Sequence, residues 1–82
     1  MAQFTYIITD ETGLHARPAG LLVKAVKAAG CAVTLTKGEK SVDASRLIAV
    51  MSLGVKKGDK VTVSADDEQV LEQLKEFFEQ NL

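Results

Sequence analysis

Gly13-Leu14-His15-Ala16-Arg17-Pro18-Ala19-Gly20 holds the only histidine of the 82-residue chain, at the point where a polar turn gives way to a helical pattern. Upstream, Phe4, Tyr6 and Ile8 alternate with Gln3, Thr5 and Thr9, the two-residue period of a half-buried strand over 2–9, with Ile7 on its outer face. Asp10-Glu11-Thr12-Gly13 is the polar turn that follows. Downstream, Ala19, Leu22, Val23 and Val26 share one face of a helix predicted over 16–29. Pro18 fits its first turn, where the missing N–H breaks no intrahelical bond, and Gly30 ends it.

The remaining chain reads in the same terms. Cys31, Val33 and Leu35 alternate with Ala32, Thr34 and Thr36 to give a second strand, in which Cys31 is expected as a small buried residue. Lys37-Gly38-Glu39-Lys40 is a tight connection into a third strand over 40–43, and a short helix over 46–53 is stopped by Gly54. After the turn Lys56-Lys57-Gly58-Asp59, a fourth strand is marked by Val61, Val63 and Ala65. A last helix opens on Asp66 and Gln69, spaced as a capping box, with Asp67 and Glu68 at its positive end and Val70, Leu71, Leu74, Phe77 and Phe78 on one stripe. The order β-α-β-β-α-β-α predicts an α+β fold, one domain over 1–82, with an antiparallel sheet and helices on one face.

Composition narrows the function classes. A chain this short, 46% hydrophobic and 26% charged, is expected to fold as a globular domain with a small core and no enclosed substrate cavity, so its function belongs on the outer surface. A net charge of −1 argues against nucleic acid as a partner. The charge is unevenly spread: nine of ten basic residues lie from Arg17 to Lys60 and six of eleven acids from Asp66 to Glu79, which predicts an electrically two-sided molecule. Cys31, alone, forms no internal disulfide; no stretch reads as a signal peptide or membrane span, and a cytoplasmic location without membrane insertion is expected.

The core stripe of the first helix leaves a second stripe free, carrying Arg17, Gly20, Leu21, Lys24 and Lys27: either a solvated face or a docking track for an acidic partner beginning beside His15. The short helix has apolar residues nearly all round. If Val50 and Leu53 face the sheet, Leu47, Ile48 and Met51 form an exposed patch of the kind that marks a protein interface. A lone histidine is often a structural or surface group. A metal centre is not expected, since one His and one Cys supply no ligand set, and no other cofactor is called for. A Ser or Cys triad has little support, which leaves His15 as a nucleophile in its own right. A neutral imidazole attacks phosphorus near neutral pH; Arg17 and the N–H groups of a helix start would neutralise the transferring oxygens.

The run Gly13-Leu14-His15-Ala16-Arg17-Pro18-Ala19 resembles the active-site signature of HPr, the histidine-containing phosphocarrier family of the bacterial phosphoenolpyruvate-dependent sugar phosphotransferase system. Val50-Met51-Ser52-Leu53-Gly54 followed by Gly58-Asp59 resembles the second signature of that family, and the likeness covers essentially the whole chain. The resemblance implies an open-faced β-sandwich: a four-stranded antiparallel sheet in order 1-4-2-3 with three helices on one side. It implies that His15 accepts a phosphoryl group on Nδ1 from enzyme I and passes it to IIA domains of sugar permeases, with Arg17 stabilising the phosphate and Pro18 shaping the turn. The docking surface it implies comprises Ala16, Gly20, Lys24, Lys27, Leu47, Ile48 and Met51, on a chain expected to act as a monomer and to be a carrier rather than a turnover enzyme. Where many members carry a regulatory serine this chain has Arg46, with Ser45 one residue earlier and equally suited to cap the helix, so no regulatory serine is assigned to Ser45 or Ser52. The rival readings are a regulatory docking protein or nitrogen-type phosphotransfer component, and a small enzyme using His15 as a general base.

Overall fold

A computed structural model describes residues 2–82; of the domain expected over 1–82, Met1 lies outside the described residues. Four strands, β1 (Ala2–Ile7), β2 (Val33–Lys37), β3 (Lys40–Asp43) and β4 (Lys60–Ala65), pair antiparallel in the order β1-β4-β2-β3. Helices α1 (Ala16–Ala29), α2 (Leu47–Ser52) and α3 (Glu68–Asn81) complete the β-α-β-β-α-β-α order. This is the open-faced sandwich that the family resemblance implies.

Strand alternation sorts the two faces of the sheet. The register aligns Phe4, Val63, Leu35 and Val42 across all four strands on the side the helices cover. On the other face the same register lines up Thr5, Thr62, Thr36 and Ser41, with hydroxyl contacts of 3.4 Å between the first two and 2.8 Å between the last two. Phe78 of α3 is fully buried and takes the rings of Phe4 and Tyr6 edge-on at centroid distances of 5.6 and 5.5 Å. Such a ring contributes about 2–3 kcal/mol by burial, and its T-shaped neighbours add to that. Leu22 and Val26 of α1 and Val50 of α2 fill the same cluster.

Four local expectations are corrected. The N-cap of α3 is Asp67, not Asp66: its Oδ1 accepts from the amides of Gln69 at 2.8 Å and Val70 at 3.3 Å, so the expected Asp66–Gln69 capping box is absent. The second strand begins at Val33, leaving Cys31 ahead of it and only partly buried, because the chain leaving Gly30 (φ 74°) needs two residues to reach the sheet. Ser45 does not cap α2; Arg46 holds that position, and the Ser45 hydroxyl donates to Asp43 Oδ1 at 2.7 Å. The first strand also stops at Ile7, short of Thr9, whose amide and hydroxyl turn to the carbonyl oxygen of Leu82.

Two loops are locked together where α1 begins. Leu14 donates its amide to the Val55 carbonyl at 3.1 Å, and Gly13 packs so closely that a Cβ there would lie 2.4 Å from that oxygen and 2.7 Å from Lys56 Cα. Gly13 also has φ 66°, a conformation that L side chains rarely adopt. Across the same loop, Lys37 Nζ donates to the Gly54 carbonyl at 2.9 Å and pairs with Asp59 Oδ2 at 3.0 Å, while that carboxylate oxygen accepts the Lys56 amide at 2.8 Å. A Gly13→Ala substitution therefore destabilises by at least about 2 kcal/mol. Gly20, helical with nothing within 4 Å of its added Cβ, gains about 0.5–1 kcal/mol on the same change. Urea unfolding of the two variants checks the opposite signs.

Candidate functional site

His15 is the N-cap of α1. Its backbone is extended (φ −84°, ψ −172°), its side chain makes no capping bond, and its ring is exposed. The first intrahelical bond runs from the Ala19 amide to the His15 carbonyl at 2.9 Å. Pro18, buried beneath the turn, has no N–H, and among the described residues the amides of Ala16 and Arg17 have no partner. Two directed donors thus stand beside the ring at the positive end of a 14-residue helix. The exposed Arg17 guanidinium makes no ion pair among the described residues, so its donors are available.

These groups border a shallow depression of about 280 Å³ lined also by Asp10, Leu21, Gln80 and Asn81. Asp10 is firmly placed there: Oδ2 accepts from the Thr12 hydroxyl at 2.7 Å and the Thr12 amide at 3.1 Å, and the Asp10 amide donates to the Leu82 carbonyl at 2.7 Å. The Thr12 hydroxyl holds the Asp10 carboxyl below its ordinary range, and the nearby His15 imidazole acts in the same direction. Asn81 is fixed at the edge of the depression, its Nδ2 donating to the Phe77 carbonyl at 3.0 Å. A larger hollow of about 420 Å³, between β1 and the start of α3, is lined by Phe4, Leu71, Glu68, Glu72 and Lys75 and by no histidine, cysteine or hydroxyl side chain.

The two surfaces anticipated from periodicity are both present. Val50 is fully buried and Leu53 nearly so, whereas Ile48 is 84% exposed and Leu47 and Met51 are each 42% exposed. Two turns of helix cannot bury apolar residues on every side. Ala16, Arg17, Lys24 and Lys27 are exposed on α1 with Gly20 half-buried among them, and α1 packs beside α2. Arg46 lies at the start of α2, 4.0 Å from Asp43. No cluster of metal-ligating side chains occurs among the described residues, and none of their helices is long and apolar enough to cross a membrane.

Sequence reading passes over three parts of this frame: Asp10, Lys37, and the end of α3 at Gln80 and Asn81. Asp10-x-Thr12 is a recognisable side-chain turn, which predicts the fixed carboxylate but not its neighbour. Lys37 reads as a turn residue, and only the fold brings Asp59 to it.

Comparison with known proteins gives one family throughout. The family model described as "PTS HPr component phosphorylation site" matches residues 2–80. The phosphocarrier protein HPr of Mycoplasma capricolum is 39% identical over 66 residues, 80% of this chain and 74% of that one. The crystal structure of HPr-C-His from Thermoanaerobacter tengcongensis superposes with a TM-score of 0.90 at 36% identity, covering 96% of this chain and 92% of that one. An HPr dimer from the same organism matches with a TM-score of 0.64 at 35% identity, over 93% and 94%.

The aspartates that pin the site loops set an acid limit on stability. Besides Asp10, Asp59 is held below the ordinary value of 3.8, first by the Lys56 amide and then by Lys37, and Asp43 first by the Ser45 hydroxyl. Each stays charged in the folded state after its unfolded counterpart has taken up a proton. The stabilisation is therefore complete above the ordinary value and is lost as pH falls through the lower folded values. Urea midpoints are expected to be level above about pH 5 and to drop below about pH 4, and an Asp10→Asn/Asp59→Asn double variant is expected to drop less steeply.

Proposed function

This chain belongs to the HPr family of phosphotransferase-system phosphocarriers, proteins that carry a phosphoryl group rather than turn over a substrate, and from that membership we propose that His15 is its phosphoryl acceptor and donor. Enzyme I charges Nδ1 of His15 in the cytoplasm and IIA domains of sugar permeases discharge it. What supports this most is one juxtaposition: an exposed imidazole at the start of α1 beside two unpartnered amides and the unpaired Arg17. No substrate pocket is needed, because the reacting partner brings its own half of the site.

In this reading the ring nitrogen displaces the donor at phosphorus, and the Ala16 and Arg17 amides with the Arg17 guanidinium neutralise the equatorial oxygens without reorganising. Pro18 removes a competing donor and fixes the turn. Partners seat on Ala16, Gly20, Lys24 and Lys27 of α1 and on Leu47, Ile48 and Met51 of α2; the apolar patch supplies affinity and the lysines supply orientation toward acidic surfaces. Regulatory proteins would use the same face. Serine control is not assigned, since Arg46 takes the family position and the Ser45 hydroxyl is engaged with Asp43. The working unit we propose is one copy of a single domain over 1–82, since one chain supplies every group named.

With enzyme I, Mg²⁺ and phosphoenolpyruvate, the protein is expected to gain one acid-labile, alkali-stable phosphate that passes to a sugar-specific IIA domain, while His15→Ala gains none. Arg17→Ala slows the transfer by about 10- to 1,000-fold. An unmodified wild type would end the carrier reading, and uptake without delivery to any sugar-specific IIA domain would favour the regulatory or nitrogen-type role. Ile48→Asp, on a side chain 84% exposed, should leave the unfolding midpoint unchanged. It should also raise the apparent KM for enzyme I by about tenfold or more, through loss of interface burial.

A further inference from the structure

The depression at His15 is bordered by charge of both signs. On one side stand the start of α1 and Arg17; on the other stand the Asp10 carboxylate and the C-terminal end of α3, the negative pole of a second 14-residue helix. Resting on the reading of His15 as the phosphoryl site, we propose that Asp10 sets the transfer potential of the phosphohistidine: fixed at the rim of the same depression, it raises the energy of the phosphorylated form relative to the free one.

The geometry makes Asp10 a built-in charge rather than a passing one. Its amide donates to the Leu82 carbonyl at 2.7 Å, its own carbonyl accepts the Gly13 amide at 3.0 Å, and its side chain is held by both donors of Thr12. Both Thr12 bonds fall on Oδ2, leaving Oδ1 uncommitted. No cation pairs with Asp10 among the described residues, whereas the neighbouring Glu11 reaches Lys57 at 3.7 Å. The carboxylate is ionised throughout the neutral range, and Thr12 and the His15 imidazole both favour that state.

The consequence follows from the charge balance of transfer. When the group moves on, the P–N bond to the imidazole breaks as phosphorus bonds to the acceptor's nucleophile, and the P–N electron pair returns to the ring nitrogen. The negative phosphoryl oxygens leave the site with it. Repulsion from Asp10 exists only before that step, so it favours release; Arg17 and the two amides favour retention. With both signs at one rim, the phosphoryl group is held firmly enough to be accepted and loosely enough to be surrendered.

Competition for a limiting phosphoryl supply tests this. Equal amounts of wild type and isotope-labelled Asp10→Asn are equilibrated through catalytic enzyme I, and the phosphorylated fraction of each is read by intact-mass spectrometry. Asparagine keeps an acceptor for both Thr12 donors, so the loop geometry is retained. The phosphoryl group is expected to favour the Asn variant by about two- to tenfold at low ionic strength, with the bias shrinking as salt is raised. Asp10→Glu, which restores the charge, should draw the partition back toward even. An even split between wild type and Asp10→Asn at low salt overturns the proposal while leaving His15 as the carrier residue. So does a bias that salt does not alter, which would mark a packing effect. If neither copy takes up phosphate, the His15 reading fails and this one falls with it.

Discussion

The hydrogen bond from the Leu14 amide to the Val55 carbonyl, with Gly13 pressed against the same peptide, is the constraint on which the working face depends. It joins the loop that presents His15 to the loop that leaves α2. Neither loop is regular structure, and each carries backbone groups that need partners. Lys37 completes the arrangement from the sheet, donating to the Gly54 carbonyl and pairing with Asp59, while Gly58 and Asp59 bond back to Ile8. A single backbone bond is worth about 1 kcal/mol net, but this set shares its anchors, so loosening one releases both loops. The imidazole and the apolar patch on α2 are therefore held as one unit, the ring at a fixed place relative to the patch.

How much of this was legible in the sequence depended on whether one segment's own residues settled the matter. The 3.6-residue repeat in α1 was readable because its apolar positions mark one face; on α2, apolar nearly all round, the exposed set Leu47, Ile48 and Met51 was readable only on the condition that Val50 and Leu53 face the sheet, as they do. The cap of α3 was not, because Asp66 and Asp67 carry the same acceptor and only the path out of β4 decides which of them meets the Gln69 and Val70 amides. Cys31 looked like a strand residue because alternation continues through it, although the chain has not yet reached its partner strand. The Asp10 carboxylate was visible as part of a turn, but its place beside His15 exists only once the Thr9 and Asp10 amides dock on Leu82 at the far end of the chain.

A two-signed charge distribution follows from the same topology. Of the cations in the middle of the sequence, Arg17, Lys24 and Lys27 are exposed on α1 and Arg46 stands at the start of α2, and the acids of the last quarter line α3, whose Glu68, Glu72, Glu76 and Glu79 are all exposed. The start of α1 and the end of α3 meet at the depression beside His15, so the positive pole of one helix and the negative pole of the other reach the same few ångströms of surface. Asp10 strengthens the second pole. A site meant to bind an anion permanently would be positive on every side; this one is not.

That difference bears on why so small a domain can do the work at all. An 82-residue chain has too little interior to enclose a phosphoryl group, dry its surroundings and still keep a core around Phe78. In the reading proposed for it, the missing enclosure comes from the partner. When a partner covers the depression together with Leu47, Ile48 and Met51, water leaves the rim, and the Arg17 guanidinium, the two free amides and the Asp10 carboxylate all act through a lower dielectric. Charges that are weak in the free protein, where solvent screens them, then become decisive in the complex. The open site protects nothing by itself, yet it needs no lid to move and no pocket to empty between one partner and the next.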